Sequence, residues 1–401
     1  MGHAIVIVLD GVGVGALPDA ADYGDAGHDT LGHTAEAVGG LALPNLQRLG
    51  LGNLHAVRGV APVDRPAGSY GRMLEISRGK DSTTGHWELM GVVTDVPYPT
   101  YPTGFPDDVL DLFREATGRD VIGNCAASGT EIIQIHGDEH VATGKLIVYT
   151  SADSVFQIAA HEEVVPLEDL YDICETARRI LQPPHQVSRV IARPFLGASG
   201  DYTRTPNRRD FSIVPPDDLV LATLHRAGVP VRAVGKISDL YAGKGIVDKV
   251  VSKSNAQGMA ALEAMYQGLN GVPSLLLLNL VDFDMLWGHR NNPQGMARDL
   301  EAFDVWLGGF LQTLQPEDLL LMTADHGNDP TTTSTDHSRE YVPLLAVHGD
   351  RNVGCDLGVR ASFSDVGATL CEFFGQPAPS HGISFLADLA ESEGDDHDGT
   401  A

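Results

Sequence analysis

The chain has 401 residues, of which 43% are hydrophobic and 20% charged, a composition typical of a globular protein with a sizeable core. Its formal net charge of −27 argues against nucleic acid as a partner, because a nucleic-acid-binding surface needs an excess of basic residues. No apolar run reaches the roughly 18 residues that a membrane span needs, so no contact with a membrane is expected.

The amino terminus and the cysteines predict a cytoplasmic protein. An apolar stretch begins near residue 3, but no Lys or Arg precedes it and Asp10 interrupts it, so we do not expect a signal peptide. The four cysteines are far apart and show no CxxC spacing, which is typical of reduced thiols and not of a disulfide framework or a zinc site.

The first predicted strand covers residues 3–9, HAIVIVL, and runs directly into Asp10. The glycines that follow, Gly11, Gly13 and Gly15, have the spacing G-x-G-x-G and not the dinucleotide-binding spacing G-x-G-x-x-G. A carboxylate at position 10 would also repel a pyrophosphate, so Asp10 fits a metal ligand better. Three nearby histidines are interpreted as surface or packing residues: His28, His33 and His55.

Residues 79–91, GKDSTTGHWELMG, place the hydroxyl side chains of Ser82, Thr83 and Thr84 in front of a predicted helix. One interpretation is a helix cap, because Ser and Thr oxygens are preferred at that position. The other is a nucleophile, because the positive field at a helix amino terminus favours an alkoxide and any phosphate it acquires. A metal cluster elsewhere in the chain would make this stretch the natural phosphoryl acceptor.

Two proline-rich stretches, residues 96–108 and 214–218, are interpreted as paired crossings between a main domain and an inserted one. The insert has its own strand-like segments, which predict an α+β domain: residues 131–135, 145–149 and 189–192. In a phosphate enzyme such an insert is expected to be a lid that excludes water. The predicted domains are a discontinuous core of residues 1–97 and 216–388, an insert of residues 98–215 and a disordered acidic tail of residues 389–401.

Arginines of the insert are candidate contacts for an anionic ligand, because arginine binds phosphate bidentately. Arg193 follows a predicted strand, and Arg208 lies in a basic cluster with Arg204. An ordinary solvated surface is the alternative for such a cluster. Ser151 and Asp153 could form hydrogen bonds with sugar hydroxyls, although a turn role is equally open.

Beyond the insert, helices and strands alternate as in a doubly wound α/β sheet. Two more apolar runs end in carboxylates there: residues 275–280 lead to Asp284, and residues 319–322 lead to Asp325. Parallel sheets place their chemistry at the carboxyl ends of strands, and like charges clustered there are usually compensated by bound cations. Three histidines follow these runs closely: His289, His326 and His337.

Five stretches together resemble the phosphopentomutase family of the alkaline phosphatase superfamily: LDGVGVG, GKDSTTGHWE, DFDMLWGH, TADHGNDP and TDHSRE. The resemblance extends to about residue 388. It implies an alkaline-phosphatase-like doubly wound core sheet with an inserted α+β cap domain. It also implies two manganese ions, held by two groups of residues: Asp284, His289 and His337, and Asp10, Asp325 and His326. Such mixed carboxylate and imidazole ligands suit manganese.

The resemblance also implies a reaction that interconverts the 1-phosphate and the 5-phosphate of ribose or deoxyribose through a phosphoenzyme. The family's nucleophile is usually the threonine after the aspartate of GKDT, and that position holds Ser82 here, with Thr83 and Thr84 as alternatives. A sugar bisphosphate such as glucose 1,6-bisphosphate is the implied activator. The implied contacts to the pentose phosphate are Ser151, Asp153, Arg193, Arg208 and Lys236.

Three alternatives remain. A hydrolase of the same superfamily would need an open site that admits water. A cofactor-independent phosphoglycerate mutase has a larger insert, and its nucleophile motif NSEVGH does not occur in this chain. A catalytically inactive binding module is expected to have lost a ligand, whereas all six presumed ligands are present.

Overall fold

The structure is a computed structural model that describes residues 2–151, 154–348 and 353–389. The chain divides into two compact units, one formed by Met1–Asp95 and Pro215–Ala401 and the other by Val96–Val214. Asp153 and residues 390–401 of the predicted acidic tail lie outside the described residues. Among the described residues, no helix is both long enough and apolar enough to cross a membrane.

The strands in chain order are β1 (Ala4–Leu9), β2 (Ser69–Met73), β3 (Val121–Ala126), β4 (Leu146–Thr150), β5 (Val155–His161), β6 (Arg189–Leu196), β7 (Thr203–Arg204), β8 (Arg209–Ser212), β9 (Val231–Val234), β10 (Asp248–Val250), β11 (Leu275–Leu280), β12 (Leu319–Thr323), β13 (Val342–His348) and β14 (Asp356–Arg360).

The α-helices are α1 (Thr30–Val38), α2 (Pro44–Arg48), α3 (Leu51–Leu54), α4 (Ser82–Leu89), α5 (Asp107–Thr117), α6 (Glu131–Thr143), α7 (Leu167–Ile180), α8 (Val220–Arg226), α9 (Ile237–Leu240), α10 (Asn255–Gln267), α11 (Pro293–Phe310) and α12 (Ser364–Phe373). A 3-10 turn at Ala20–Tyr23 and a π-helical turn at Phe283–Gly288 complete the helical segments of the described residues.

The first unit contains an eight-stranded sheet with the order β10-β9-β11-β1-β12-β13-β2-β14. The strands from β10 to β12 in this order are parallel, whereas β13 runs antiparallel to both of its neighbours. In the register of the parallel strands, Leu9 pairs with Leu280 and Val8 pairs with Thr323. The carboxyl ends of β1, β11 and β12 therefore lie at one edge of the sheet.

Every residue of β1, β11 and β12 is buried. Strands of a parallel sheet are covered on both faces, which is why their sequences are near-continuous apolar runs and not alternating patterns. The three strands predicted from these runs are confirmed, and burial of their side chains stabilises the unit by roughly 25 cal/mol per Å² of apolar surface removed from water.

The second unit has a mixed sheet with the order β3-β4-β5-β6-β7, and β8 also pairs with β6. A core of buried apolar residues includes Phe113 on α5 and Cys174 on α7, together with Phe156 on β5. The strands predicted at residues 145–149 and 189–192 are confirmed as β4 and β6. The predicted α/β fold class with an inserted α+β unit is thus confirmed.

The prediction of a strand at residues 131–135 is wrong, because this segment begins the helix α6. The run EIIQI satisfies a strand pattern over a short window, but Ile135 is 70% exposed. The buried residues of α6 are Ile132, Ile133, Gly137 and His140, which recur with the period of a helix.

Candidate metal centre and nucleophile

The parallel strands bring charged side chains to one edge of the sheet. Asp10 follows β1 directly, Asp284 follows β11 within the π-helical turn, and Asp325 follows β12. Lys236 comes two residues after β9, which pairs with β11 in the same sheet. The topology therefore explains why residues far apart in the sequence form one site.

The first group of possible metal ligands consists of Asp10, Asp325 and His326, all buried, whose ligand atoms lie within 4.8 Å of one another. His326 Nε2 is 3.6 Å from Asp10 Oδ1 and 3.4 Å from Asp325 Oδ2. The backbone N–H of Gly11 donates to Asp325 Oδ1 at 3.1 Å and so fixes this carboxylate against the end of β1. The same three residues form one of the two ligand groups predicted from the sequence.

The second group consists of Asp284, His326 and His337, also buried and within 4.8 Å of one another. The sequence prediction placed His289 in this group. His289 is less buried, with its Nε2 3.4 Å from Asp284 Oδ2 and its ring centroid 4.8 Å from that of His337. His326 belongs to both buried groups, so the predicted ligands form one continuous cluster.

The cluster shifts the pKa values of its carboxyl groups in opposite directions. Burial, reinforced by the charge of Asp10, raises the pKa of Asp325 well above its ordinary value. Burial also acts to raise the pKa of Asp284, but the charges and hydrogen bonds of His337 and His289 outweigh it and hold the pKa well below the ordinary value. The cluster therefore favours the charged form of Asp284 and the neutral form of Asp325.

Lys236 supplies positive charge to this cluster. Its Nζ lies 2.7 Å from Asp10 Oδ2 and 3.6 Å from Asp284 Oδ2. Burial acts to lower the pKa of Lys236, yet the two carboxylates raise it above the ordinary value, so the side chain stays an ammonium. In this structure the residue contacts the carboxylates; its predicted contact with substrate remains a prediction.

The residues present fit divalent metal ions. Three buried side-chain oxygens of the cluster have no hydrogen-bond partner among the described residues: Asp10 Oδ1, Asp325 Oδ2 and Asn328 Oδ1. A buried oxygen without a partner is costly, and a coordinated cation is one way of satisfying it. Carboxylate oxygens combined with imidazole nitrogens are ligands that manganese and neighbouring metals accept.

Ser82 is the first residue of α4, and its Oγ lies 3.2 Å from His326 Nε2. The helix cap is Asp81, whose carboxylate accepts hydrogen bonds from the backbone N–H groups of Thr83 at 2.9 Å and Thr84 at 3.2 Å. Thr84 Oγ1 also donates to Asp81 Oδ2 at 2.7 Å, and Thr83 is buried. The capping interpretation therefore applies to Asp81, and Ser82 contacts His326 of the cluster of possible metal ligands.

Asn328 is a site residue that the sequence prediction did not name. Its Nδ2 donates to Asp284 Oδ1 at 2.7 Å and lies 3.3 Å from His289 Nδ1. Its backbone N–H donates to Thr30 Oγ1 at 2.9 Å, which ties the loop after β12 to the start of α1. Its place in the quoted stretch TADHGNDP was the signal that could have identified it.

Comparison with known proteins gives matches over nearly the whole chain. The model of the metalloenzyme superfamily matches residues 2–378. The phosphopentomutase of Desulfitobacterium hafniense is 56% identical over 390 residues, which cover 97% of this chain and 100% of the relative. The phosphopentomutase of Clostridium novyi is 53% identical and covers 97% of this chain and 99% of the relative. The chain belongs to the phosphopentomutase family.

Membership of the phosphopentomutase family makes the protein an isomerase, specifically an intramolecular phosphotransferase. The predicted resemblance, the alkaline-phosphatase-like fold class and the enzyme class are thereby confirmed. The superfamily match and the two overlapping groups of possible ligands also support the use of divalent metal.

Arg339 is a second residue that the sequence prediction did not name, although it lies in the quoted stretch TDHSRE. It is buried, and its Nη1 donates to the carbonyls of Ser77 at 2.8 Å and Gly79 at 2.7 Å. It also pairs with the buried carboxylate of Glu75 at 2.8 Å. Arg339 thus holds the backbone that leads into Ser82.

His33 and His55, predicted to be surface or packing residues, both contact carboxylates near the start of α1. His33 Nδ1 lies 2.6 Å from Asp329 Oδ2, and His55 Nε2 lies 2.8 Å from Asp29 Oδ2. Burial acts to lower the pKa of His33, but Asp329 raises it above the ordinary value. Neither histidine belongs to the groups of possible metal ligands among the described residues.

The second unit contains the other predicted substrate contacts among the described residues. Arg193 and Arg208 line a cavity of about 510 Å³. Arg193 Nε donates to Gln157 Oε1 at 3.0 Å, and Arg208 makes two hydrogen bonds with Asp210 at 2.7 and 2.6 Å. Ser151 follows β4 directly and is half-buried.

Proposed function

We propose that the protein interconverts the 1-phosphate and the 5-phosphate of ribose or deoxyribose in the cytoplasm. The observation that carries this proposal is the identity of 56%, over the full length, with a protein named phosphopentomutase. The arrangement of a hydroxyl nucleophile beside a buried carboxylate and imidazole cluster supports it, because phosphoryl transfer depends mainly on positioning and charge stabilisation.

In this proposal the predicted residues hold two divalent ions, with manganese suited to the mixed ligands: Asp284, His289 and His337 for one ion and Asp10, Asp325 and His326 for the other. Bound ions of this kind act as Lewis acids and neutralise charge on a transferring phosphoryl group. The unpartnered oxygens of Asp10 and Asp325, and the contact of His289 with Asp284, support this assignment.

Ser82 is proposed as the residue that carries the phosphoryl group. The free hydroxyl of a bound pentose monophosphate attacks the phosphorus, the bond between phosphorus and Ser82 Oγ breaks, Ser82 Oγ takes up the proton of that hydroxyl, and a pentose bisphosphate results. Ser82 Oγ then attacks the other phosphate of that bisphosphate, and the bond between that phosphorus and the sugar oxygen breaks. The sugar oxygen takes up the proton, which restores the phosphoenzyme and releases the isomeric monophosphate. The contact of Ser82 with His326 supports this choice. The hydroxyl of Thr84 instead donates a hydrogen bond to Asp81, and Thr83 is buried.

The second unit is proposed as a cap that binds the phosphate remote from the reaction. Arg193 and Arg208 would bind that phosphate, and Ser151 and Asp153 would bind the sugar hydroxyls. The shared cavity of the two arginines supports their role. Lys236 is proposed to contact the reacting phosphate, since its ammonium already faces the carboxylates of the cluster.

Phosphorus NMR tests the proposal directly. Manganese-loaded protein is mixed with ribose 5-phosphate and a trace of glucose 1,6-bisphosphate as the activator. We expect ribose 1-phosphate to appear without inorganic phosphate. Accumulation of inorganic phosphate would identify a phosphatase instead, and the absence of either product would contradict the assigned substrate.

A further inference from the structure

His86 lies on α4, four residues after Ser82, so both side chains project from the same face of this helix. It is 1% exposed. Its Nε2 is 3.4 Å from Asp325 Oδ2 and 3.2 Å from Asn279 Nδ2. His86 therefore lies between a proposed metal ligand and a polar side chain of β11, although neither group of possible ligands contains it.

The backbone of α4 also packs directly on Asp325. A Cβ atom added at Gly85 would lie 1.9 Å from the carbonyl oxygen of Asp325, a distance that no side chain tolerates. The glycine thus permits a close approach between helix and loop. As a result, Asp325 contacts the helix of the nucleophile through two adjacent residues, Gly85 with its backbone and His86 with its ring.

The hydrogen-bonding needs around the ring favour one arrangement. Two buried oxygens beside it have no hydrogen-bond partner within the part of the chain that the structure describes: Asp325 Oδ2 and Asn279 Oδ1. A neutral imidazole carries one N–H, on either Nδ1 or Nε2. A proton on Nε2 would face Asp325 Oδ2, and a half-turn of the Asn279 amide would bring its oxygen to the same N–H.

We propose that His86 is a positioning residue, whose Nε2–H donates to Asp325 Oδ2 and fixes this carboxylate relative to the helix that carries Ser82. The inference rests on the metal-binding role proposed for Asp325. Hydrogen-bonding partners behind metal ligands orient them, and losing such a partner typically weakens metal affinity by about 10- to 100-fold. His86 would thus couple metal binding to the position of the nucleophile.

The test uses three variants of the full chain. His86→Phe keeps a planar ring but removes the donor, and His86→Gln keeps an N–H that can reach the position of Nε2. His140→Phe is the matched control, because His140 is an equally buried histidine in the second unit, hydrogen-bonded to the carbonyl of Lys145. Manganese affinity is measured by calorimetry on chelator-treated protein, together with the melting temperature of the metal-free form.

We expect His86→Phe to weaken manganese binding about 10- to 100-fold and His86→Gln to restore most of that loss. His140→Phe should lower the melting temperature and leave manganese affinity within about threefold. Equal losses in His86→Phe and His86→Gln, or no loss in a folded His86→Phe, would overturn the positioning role. If the unaltered protein bound no manganese, the metal scheme of the proposed function would fail instead.

A second measurement determines the tautomer of His86 in the unaltered protein. Nitrogen NMR of protein labelled with ¹⁵N-histidine and loaded with zinc, a diamagnetic ion that accepts carboxylate and imidazole ligands, distinguishes the two neutral tautomers, with the His86 signal identified by its loss in His86→Gln. The inference requires the proton of His86 on Nε2. A proton found on Nδ1 would contradict it, because Nε2 would then present a lone pair to the carboxylate.

Discussion

Ser82 Oγ lies 3.2 Å from His326 Nε2, although 244 positions separate the two residues in the chain. The contact joins the first residue of α4 to the loop that follows β12. His326 belongs to both buried groups of possible metal ligands. The contact therefore places the proposed nucleophile next to the residue that the two groups share. The proposed chemistry depends on this juxtaposition.

Replacing Ser82 by Ala should reduce turnover by roughly a thousandfold or more, because no phosphoryl group can be carried. The metal content of the purified variant, measured by elemental mass spectrometry, should stay unchanged, since Ser82 is not among the proposed ligands. Ser199→Ala, which alters an exposed serine of the second unit, is the control and should retain activity. Substantial turnover by Ser82→Ala would transfer the nucleophile role to Thr83 or Thr84.

Replacing Lys236 by Met should raise manganese affinity by about tenfold or more, because a positive charge beside Asp10 and Asp284 opposes a divalent cation. Calorimetry on metal-free protein measures this change. Turnover should fall in the same variant, since the proposed contact with the reacting phosphate is lost. Unchanged affinity would mean that the ammonium moves away from both carboxylates when metal binds.

Replacing Arg339 by Met should lower the free energy of unfolding by about 3–5 kcal/mol, because it leaves the buried carboxylate of Glu75 without its partner. Arg58→Met is the control, as its pair with Glu36 is exposed and such pairs contribute less than about 1 kcal/mol. Denaturant titration of metal-free protein measures both. Similar losses in the two variants would show that Arg339 is not an anchor for the segment before Ser82.

Glu340 gives the fold a dependence on pH. The carboxylate accepts hydrogen bonds from Thr30, Ser338 and Gly15, yet burial raises its pKa from 4.5 to about 7. The folded state therefore holds this proton more tightly than the unfolded state. The associated stability is fully present below about pH 4.5 and is lost as the pH rises towards 7.

The comparison of the unaltered protein with Glu340→Gln isolates this contribution. Between pH 5 and pH 8, the free energy of unfolding of the unaltered protein should fall relative to that of the variant by up to about 3 kcal/mol, since each pKa unit corresponds to roughly 1.4 kcal/mol. Denaturant titrations at the two pH values in the presence of a chelator measure it. A difference that does not vary with pH would contradict the raised pKa.

The sequence was most informative where burial on both faces leaves a simple pattern. The runs that became β1, β11 and β12 are continuous and apolar, and the residues after them were predicted to meet at one sheet edge. The prediction of a strand at residues 131–135 was wrong because a pattern of five residues cannot distinguish a strand from the buried face of a helix. The exposure of Ile135 depends on packing that no local pattern encodes.

Contacts between distant residues were the part of the site that sequence reasoning missed. The capping role of Asp81 was assigned to its hydroxyl neighbours, because all four residues are acceptable at a helix start. Arg339 reaches the carbonyls of Ser77 and Gly79 across more than 250 positions, and its motif gives no sign of these partners. Such contacts follow from the sheet topology, which pairs strands from both ends of the chain.

The most direct test of the proposed mutase is a single turnover of the phosphorylated protein. Protein phosphorylated by glucose 1,6-bisphosphate is freed of excess reagent and mixed with one equivalent of ribose 5-phosphate, and its peptides are analysed by fragmentation mass spectrometry. We predict that the phosphate is found on Ser82 before mixing and is afterwards recovered in a ribose bisphosphate. Phosphate on another residue, or its release as inorganic phosphate upon mixing, would contradict transfer between sugars through Ser82.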